Sequence, residues 1–357
     1  MSIGIIELGG DFIGMGQFHK NMNDAFELLE CELTIYTSYD KRYTDKLSRI
    51  NFKKYWTAHN RFSKLIFFCL QFLRLSLIVV LRKHNLFFLH FFGESGYNKY
   101  LVVLLNIFGI KYFVIVHDIN SLKNRNKESN FILKNASLLI GLNSHVKEKL
   151  IRLYPKIPIK YVRHPKYDEI DVNKQRSDKI RVLFWGHLKK SKGLEVLLDA
   201  IALMTSESRS RFLFAVSGQN ASYSDYELES IDKQCAELGI ALSTSFSTES
   251  ELHSLLLNTD VVVLPYRKVY QSGALLHSIS YRACIVASDI PFFADEIQDG
   301  VTGILFENGN SLNLKAALEK LTLSKVEGLS EASYSNYLLK YSVTNLSNDL
   351  KQIVYEM

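Results

Sequence analysis

Several short stretches of this sequence combine glycine, cations, imidazoles or carboxylates at spacings suited to handling phosphates and hydroxyls. Gly186-His187-Leu188-Lys189-Lys190-Ser191-Lys192-Gly193 follows an apolar run and precedes Leu194, Leu197, Leu198, Ile201 and Met204, which recur at helical spacing. Glycine lets backbone approach an anion, lysine supplies charge, and the first turn of the next helix offers oriented N–H groups. Ser272-Gly273-Ala274, ahead of Leu275, Leu276 and His277, is a second such helix start. A lone Ser-Gly turn carries little information; the pairing with the lysine loop makes a diphosphate grip the sharper reading, against solvated turns as the plain one. The run Tyr112–Val116 ends in His117-Asp118, suited to a general base or to holding a sugar hydroxyl, with a hydrogen-bonded turn as the alternative. His90 and Glu94 lie around the end of another run and are secondary candidates, with a structural reading favoured. The first run leads into Gly9-Gly10-Asp11-Phe12-Ile13-Gly14-Met15-Gly16, a phosphate-holding or cleft-lining loop or a plain tight turn. It is not a dinucleotide fingerprint, because Gly14-x-Gly16 is followed by His19 where a glycine is needed.

These groups need strands to carry them. Strand patterns fall at Ile3–Glu7, Leu33–Tyr36, Leu86–Phe91, Tyr112–Val116, Leu138–Leu142 and Ile159–Val162, then at Arg181–Trp185, Phe212–Ser217, Leu242–Phe246, Val261–Leu264, Cys284–Ala287 and Gly303–Phe306. Several are unbroken apolar runs, as strands covered on both faces are. Alternation with helical patterns predicts parallel sheets whose ligands bind beyond the strands' carboxyl ends. A polar stretch, residues 166 to 179, separates two such series and reads as a linker. A last helical pattern spans Ser335 to Tyr355.

With 357 residues, 47% of them apolar, the chain has material for two cores. The four cysteines are scattered, which fits a reducing compartment and no structural zinc. The opening residues read as a buried strand and not a signal peptide. The apolar stretch Leu65 to Leu81 contains Gln71 and Arg74 and is too marginal for a membrane span. Between Lys41 and His84 eleven basic residues face one acid, Asp45; with the whole chain at +6, the remainder is net acidic. Tyr43, Tyr55, Trp56, Phe62, Phe67, Phe68 and Phe72 interleave the cations, which suits an anionic membrane surface. A solvated basic face is the alternative, and no nucleic-acid motif accompanies the patch.

The second half resembles the donor-binding domain of the GT-B glycosyltransferases, close to group 1 (family 4-like). That family shows G-R-L-x-x-x-K-G after the first strand of its C-terminal domain, and Gly186 to Gly193 matches with His187 in place of arginine. Thr248-Glu249-Ser250-Glu251-Leu252 through Thr259-Asp260-Val261-Val262-Val263-Leu264-Pro265 follows its next signal. Cys284-Ile285-Val286-Ala287-Ser288-Asp289 and Asp295-Glu296-Ile297-Gln298-Asp299-Gly300-Val301-Thr302-Gly303-Ile304-Leu305-Phe306 match its last two. The likeness is good over about residues 181 to 310 and weaker before them. It departs from the family where two glutamates flank the Ser-Gly turn: Val269 or Tyr270 holds the first position and His277 the second.

The resemblance implies an α/β chain of two Rossmann-like domains facing a central cleft: an acceptor-binding domain at 1–165, a nucleotide-sugar-binding domain at 179–335, and a helix at 336–357 packing back on the first. It implies a glycosyltransferase using a UDP- or GDP-sugar as substrate, with no cofactor and, lacking a DxD pattern, no metal. Donor-binding candidates are Gly186, His187, Lys189, Lys192, Gly193, Phe246, Ser272, Gly273, Ala274 and His277. Asp118, His117 and Asp11 are the candidate bases; Gly10, Gly14, Gly16, His90 and Glu94 are the acceptor-side candidates. Expected partners are a glycan or lipid-linked acceptor and, through residues 41–84, the inner face of an anionic membrane; the implied setting is bacterial O-antigen or capsule assembly in the cytoplasm. A sugar-nucleotide 2-epimerase and a degenerate scaffold are the rival readings, and a dinucleotide oxidoreductase ranks below them.

Overall fold

The computed structural model describes the chain except residues 8–14, 38–47, 52–60, 82, 92–95, 118, 120–126, 173, 175–176, 246–247 and 357. It divides into two units: residues Met1–Pro165 with Tyr341–Met357, and residues Lys166–Lys340.

The N-terminal unit is built on β1 (Ser2–Glu7), β2 (Glu32–Thr37), β3 (Ser48–Asn51), β4 (Leu86–Phe91), β5 (Lys111–Val116), β6 (Leu138–Gly141) and β7 (Ile159–Tyr161). They form one parallel sheet in the order β3-β2-β1-β4-β5-β6-β7. Its helices are α1 (Met15–Glu27), α2 (Arg61–Val80), α3 (Gly96–Ile107), α4 (Lys127–Lys134) and α5 (Ser144–Leu153). β4 is buried along its whole length, as a central strand covered on both faces must be. From β1 the chain winds one way through β2 and β3; from β4 it winds the other way through β5, β6 and β7. The reversal leaves a crevice at the carboxyl ends of β1 and β4, where open α/β sheets bind ligands.

The C-terminal unit repeats the plan. Its elements are β8 (Ile180–Trp185), α6 (Leu194–Ala202), α7 (Ser206–Ser210), β9 (Phe212–Ser217), α8 (Asp225–Leu238), β10 (Ala241–Ser243), α9 (Glu249–Leu257), β11 (Val261–Leu264), α10 (Gly273–Ser280), β12 (Cys284–Ser288), α11 (Pro291–Glu296), β13 (Ile304–Phe306), α12 (Ser311–Glu319) and α13 (Leu323–Lys340). The parallel sheet runs β10-β9-β8-β11-β12-β13, so its reversal lies between β8 and β11. Helix ends follow local chemistry. Ser224 with Glu227, and Thr248 with Glu251, form capping boxes that start α8 and α9. Gly239 closes α8 in the left-handed conformation.

The structure adds β3, a short strand with the polar sequence SRIN that the sequence pattern does not flag. The single C-terminal helix expected from Ser335 becomes two: α13 stops at Lys340, and Ser342 caps a new helix, α14 (Val343–Tyr355), by accepting from Asn345 N–H at 3.2 Å. α14 buries Leu346, Leu350, Ile353 and Val354 in the N-terminal core alongside Phe18, Met22 and Phe26 of α1. Asp349 of α14 accepts from the Arg163 backbone N–H at 3.0 Å and its guanidinium at 2.6 Å. Residues 166–179, which read as a linker, fall within the C-terminal unit, because Tyr167 and Lys174 are built into it. The Lys174 ammonium donates to the Arg282 carbonyl at 2.8 Å. No helix among the described residues is long and apolar enough to cross a membrane.

Candidate functional site

In the C-terminal unit, β8 and β11 are paired neighbours, and the loops leaving their carboxyl ends meet at the reversal point. After Trp185 the chain turns at Gly186, whose φ of 104° excludes ordinary side chains. A Cβ there would lie 2.7 Å from the Lys192 Nζ, so the ammonium rests against this backbone. Residues Lys190–Lys192 form a single 3-10 turn that ends at left-handed Gly193. The N-cap of α6, Gly193, has no side chain to cap it, so the first N–H groups of α6 carry the helix's positive end without an N-cap side chain. A Cβ on Gly193 would fall 2.1 Å from the Pro265 carbonyl oxygen, and Arg267 N–H donates to the Ser191 carbonyl at 2.9 Å. The lysine loop and the loop after β11 are thus locked together.

Among the loop's cations, Lys190 pairs with Glu227 at 2.5 Å, and Arg267 pairs with Glu195 at 2.7 Å. Both pairs help to line an open cavity of about 750 Å³ beside the loop. Lys192 differs: it is half-buried, sits 5.0 Å over the ring of buried Tyr266, and joins no ion pair among the described residues. Lys189 is exposed. His187 is exposed at the same turn, and partial burial followed by the Lys192 and Lys189 charges lowers its pKa.

The second helix start, α10, is capped by buried Ser272, whose Oγ accepts from Leu275 N–H at 3.2 Å. Gly273 follows with the Tyr167 hydroxyl against it, 3.0 Å from where a Cβ would stand, and Ala274 continues the first turn. His277, one turn on, stacks on Tyr167 with centroids 4.5 Å apart and meets the edge of Trp185 at 5.7 Å. Trp185 Nε1 in turn donates to the Ser278 Oγ at 2.9 Å, which ties the end of β8 to α10. Burial holds the His277 pKa down at about 4, so the ring is neutral near pH 7. Where the family pattern has a carboxylate, this chain presents an uncharged, π-stacked imidazole. The structure therefore brings Gly186, His187, Lys192, Gly193, Ser272, Gly273, Ala274 and His277 around one reversal point. Phe246 lies outside the described residues.

In the N-terminal unit, His117 follows β5 and its ring stacks on His90 of β4 at 5.1 Å. One hydrogen bond joins the His90 Nδ1 and the His117 Nε2 at 2.8 Å. Phe18 presents an edge to His117 at 4.6 Å and to His164 at 4.9 Å. Burial drives the His117 pKa well below its ordinary value, that of His90 to about 3 and that of His164 to about 4. Asp118, Asp11, Gly10, Gly14 and Glu94 lie outside the described residues. Gly16 belongs to α1 itself, which begins at Met15, three residues before the helical pattern is legible. Sequence reasoning missed Glu7, His19 and His164. Glu7, a carboxylate closing an otherwise apolar strand, was the one legible signal, because such a group is buried only for a reason.

Residues 166–337 match the family described as glycosyl transferases, group 1. No curated protein matches the sequence. Among solved structures, HepE of Anabaena in complex with UDP and glucose superposes with a TM-score of 0.71 at 12% identity, over 100% of both chains. Sucrose-phosphate synthase of Thermosynechococcus elongatus gives 0.72 at 13% identity, over 99% of this chain and 98% of its own. The lipopolysaccharide outer core galactosyltransferase WaaB gives 0.66 at 17%, over 100% of both. At such identities the likeness establishes the fold, GT-B.

Proposed function

We propose that this chain, whose residues 166–337 match the group 1 glycosyltransferase family, moves a sugar from a UDP- or GDP-sugar onto a glycan or lipid-linked glycan in bacterial surface-polysaccharide assembly. The observation that carries the donor assignment is Lys192, a half-buried ammonium outside every described ion pair, placed at the reversal point beside two helix starts. As the sugar–phosphate bond breaks, negative charge grows on the departing diphosphate. A preorganised cation and oriented N–H groups stabilise that charge more than they stabilise the bound donor. Lys192, with the first turns of α6 and α10, fills the role that a divalent metal plays elsewhere, so we propose metal-independent transfer. The UDP in HepE makes a UDP-sugar the first donor to try. Neutral His277 would meet the donor ribose by hydrogen bonding and stacking, without charge.

On the acceptor side, His117, Asp118 or Asp11 would hold or deprotonate the acceptor hydroxyl if the reaction inverts the anomeric centre. α2 exposes Ile66, Leu70, Leu73, Leu77 and Val80, spaced as one helix face, within the segment richest in lysine and arginine. An apolar stripe among cations suits the surface of an anionic bilayer, and we place the protein at the cytoplasmic face of the membrane that holds the lipid-linked acceptor. A panel of UDP-, GDP- and dTDP-sugars scored by thermal shift, without added metal, tests the donor assignment. One nucleotide class is expected to raise Tm in wild type and to lose that effect in Lys192→Ala. No shift with any donor removes the transferase reading.

A further inference from the structure

We propose that Glu7, His19 and His90 form a binding site for one first-row divalent cation, zinc foremost, buried in the N-terminal unit. The inference stands independently of the sugar-transfer reading. It departs from the sequence expectation of no structural zinc, because the three residues are far apart in the chain and no cysteine takes part.

The fold supplies the place. β1 and β4 flank the reversal point of their sheet, and their register pairs Ile6 with Leu89, which sets Glu7 level with His90 on the same face. α1, the next helix in the chain, brings in His19. The donor atoms stand close to metal-ligand spacing, and small side-chain shifts would draw them onto one ion. The Glu7 Oε1 lies 3.2 Å from the His19 Nδ1 and 3.9 Å from the His90 Nε2, and the three atoms all lie within 4.8 Å of one another. A tetrahedral zinc with bonds of about 2.0–2.1 Å spaces its donors about 3.3 Å apart. The His90 Nε2 is buried and has no hydrogen-bond partner among the described residues, and a cation in the space it shares with Glu7 would give it one. The side chains of Glu7, His19 and His90 are fully buried, which admits an ion and excludes a sugar.

An outer layer orients these ligands, as metal sites require. The His90 Nδ1 is hydrogen-bonded to the His117 Nε2, and the Asn23 Nδ2 donates to the Glu7 Oε1 at 3.1 Å. A metal ion takes the Nε2 lone pair of a neutral imidazole, the form of His90 whose Nδ1 holds its one proton. Two imidazoles and one carboxylate suit zinc, iron(II), cobalt(II) or manganese(II); calcium and magnesium prefer all-oxygen shells. One consequence bears on His117. With a metal on its Nε2, His90 must carry its proton on Nδ1 and donate it to the His117 Nε2. His117 is then protonated on Nδ1 and can hold an acceptor oxygen by donating to it, which leaves any deprotonation to Asp118 or Asp11.

The test uses the untagged full-length protein. Metal analysis is expected to find about one zinc per chain, the stoichiometry of a single site. Stripping with a strong chelator should lower Tm, and zinc but not magnesium should restore it. His117→Ala, which removes only an outer partner, should weaken zinc binding by about 10–100-fold in a folded protein. Cobalt(II) added to stripped wild type should give visible d–d bands without a thiolate charge-transfer band, and these bands should be absent from His90→Asn. This wild-type reading keeps the test decisive if ligand variants misfold. Zinc-free protein whose Tm ignores both chelator and zinc overturns the proposal, and so does a thiolate band or a cobalt spectrum unchanged in His90→Asn.

Discussion

Lys192 and its neighbours separate cations by what they already hold. Lys190 is committed to Glu227, and Lys189 is exposed, whereas Lys192 lies over Tyr266 and in no described ion pair. Lys192→Ala should therefore lower kcat by about 100-fold, as the loss of a preorganised charge contact does, while Lys189→Ala changes it far less. Steady-state kinetics with a saturating donor separates the two. Gly193 shows the backbone side of the same loop. Its φ of 66° and the Pro265 carbonyl 2.1 Å from a prospective Cβ leave no room for a side chain. Gly193→Ala should cost about 1–2 kcal/mol from the left-handed backbone alone, and more from the clash, measured by urea unfolding.

At the scale of elements, α14 is part of the N-terminal core although the C-terminal unit precedes it in the chain. Leu350 is fully buried there, so Leu350→Ala should destabilise the protein by about 2–5 kcal/mol in chemical denaturation. α2 behaves in the opposite way. Leu73 is 63% exposed, so Leu73→Glu should shift stability by no more than about 0.5 kcal/mol. It should also abolish flotation with anionic vesicles at low salt; unchanged flotation would end the membrane proposal. The strands were legible because buried parallel strands are unbroken apolar runs such as Val261–Leu264 and Leu86–Phe91. β3 was not, since SRIN has neither apolar continuity nor alternation. The break at Tyr341 was hidden because both flanking segments favour helix and only the Ser342 cap marks the new start. In the candidate sites, loops of fixed spacing such as Gly186 to Gly193 could be read directly. The meeting of Glu7, His19, His90, His117 and His164 could not, because it arises from sheet order and not from sequence proximity.

Across the whole molecule, burial has set imidazoles in both units against protonation. His164 and His277 are held at about 4, against an ordinary value of 6.5. Between those values and 6.5 the unfolded chain binds protons that the folded chain refuses. Stability should therefore be full above about pH 6.5 and decline as pH falls toward 4, by up to about 1.4 kcal/mol per pH unit for each histidine. Urea midpoints compared at about pH 7 and about pH 5 measure it, and an unchanged midpoint would contradict the burial of these rings.

The N-terminal unit is assembled from two stretches of chain separated by the whole of the other unit. Domains usually fold in the order in which they leave the ribosome. Here the later-made half, contiguous from 166 to 340, has every residue it needs first. The half begun earlier must wait until residues 341–355 emerge to cover α1, and until then its seam against Leu346, Leu350 and Ile353 stays open to water and to passing chaperones.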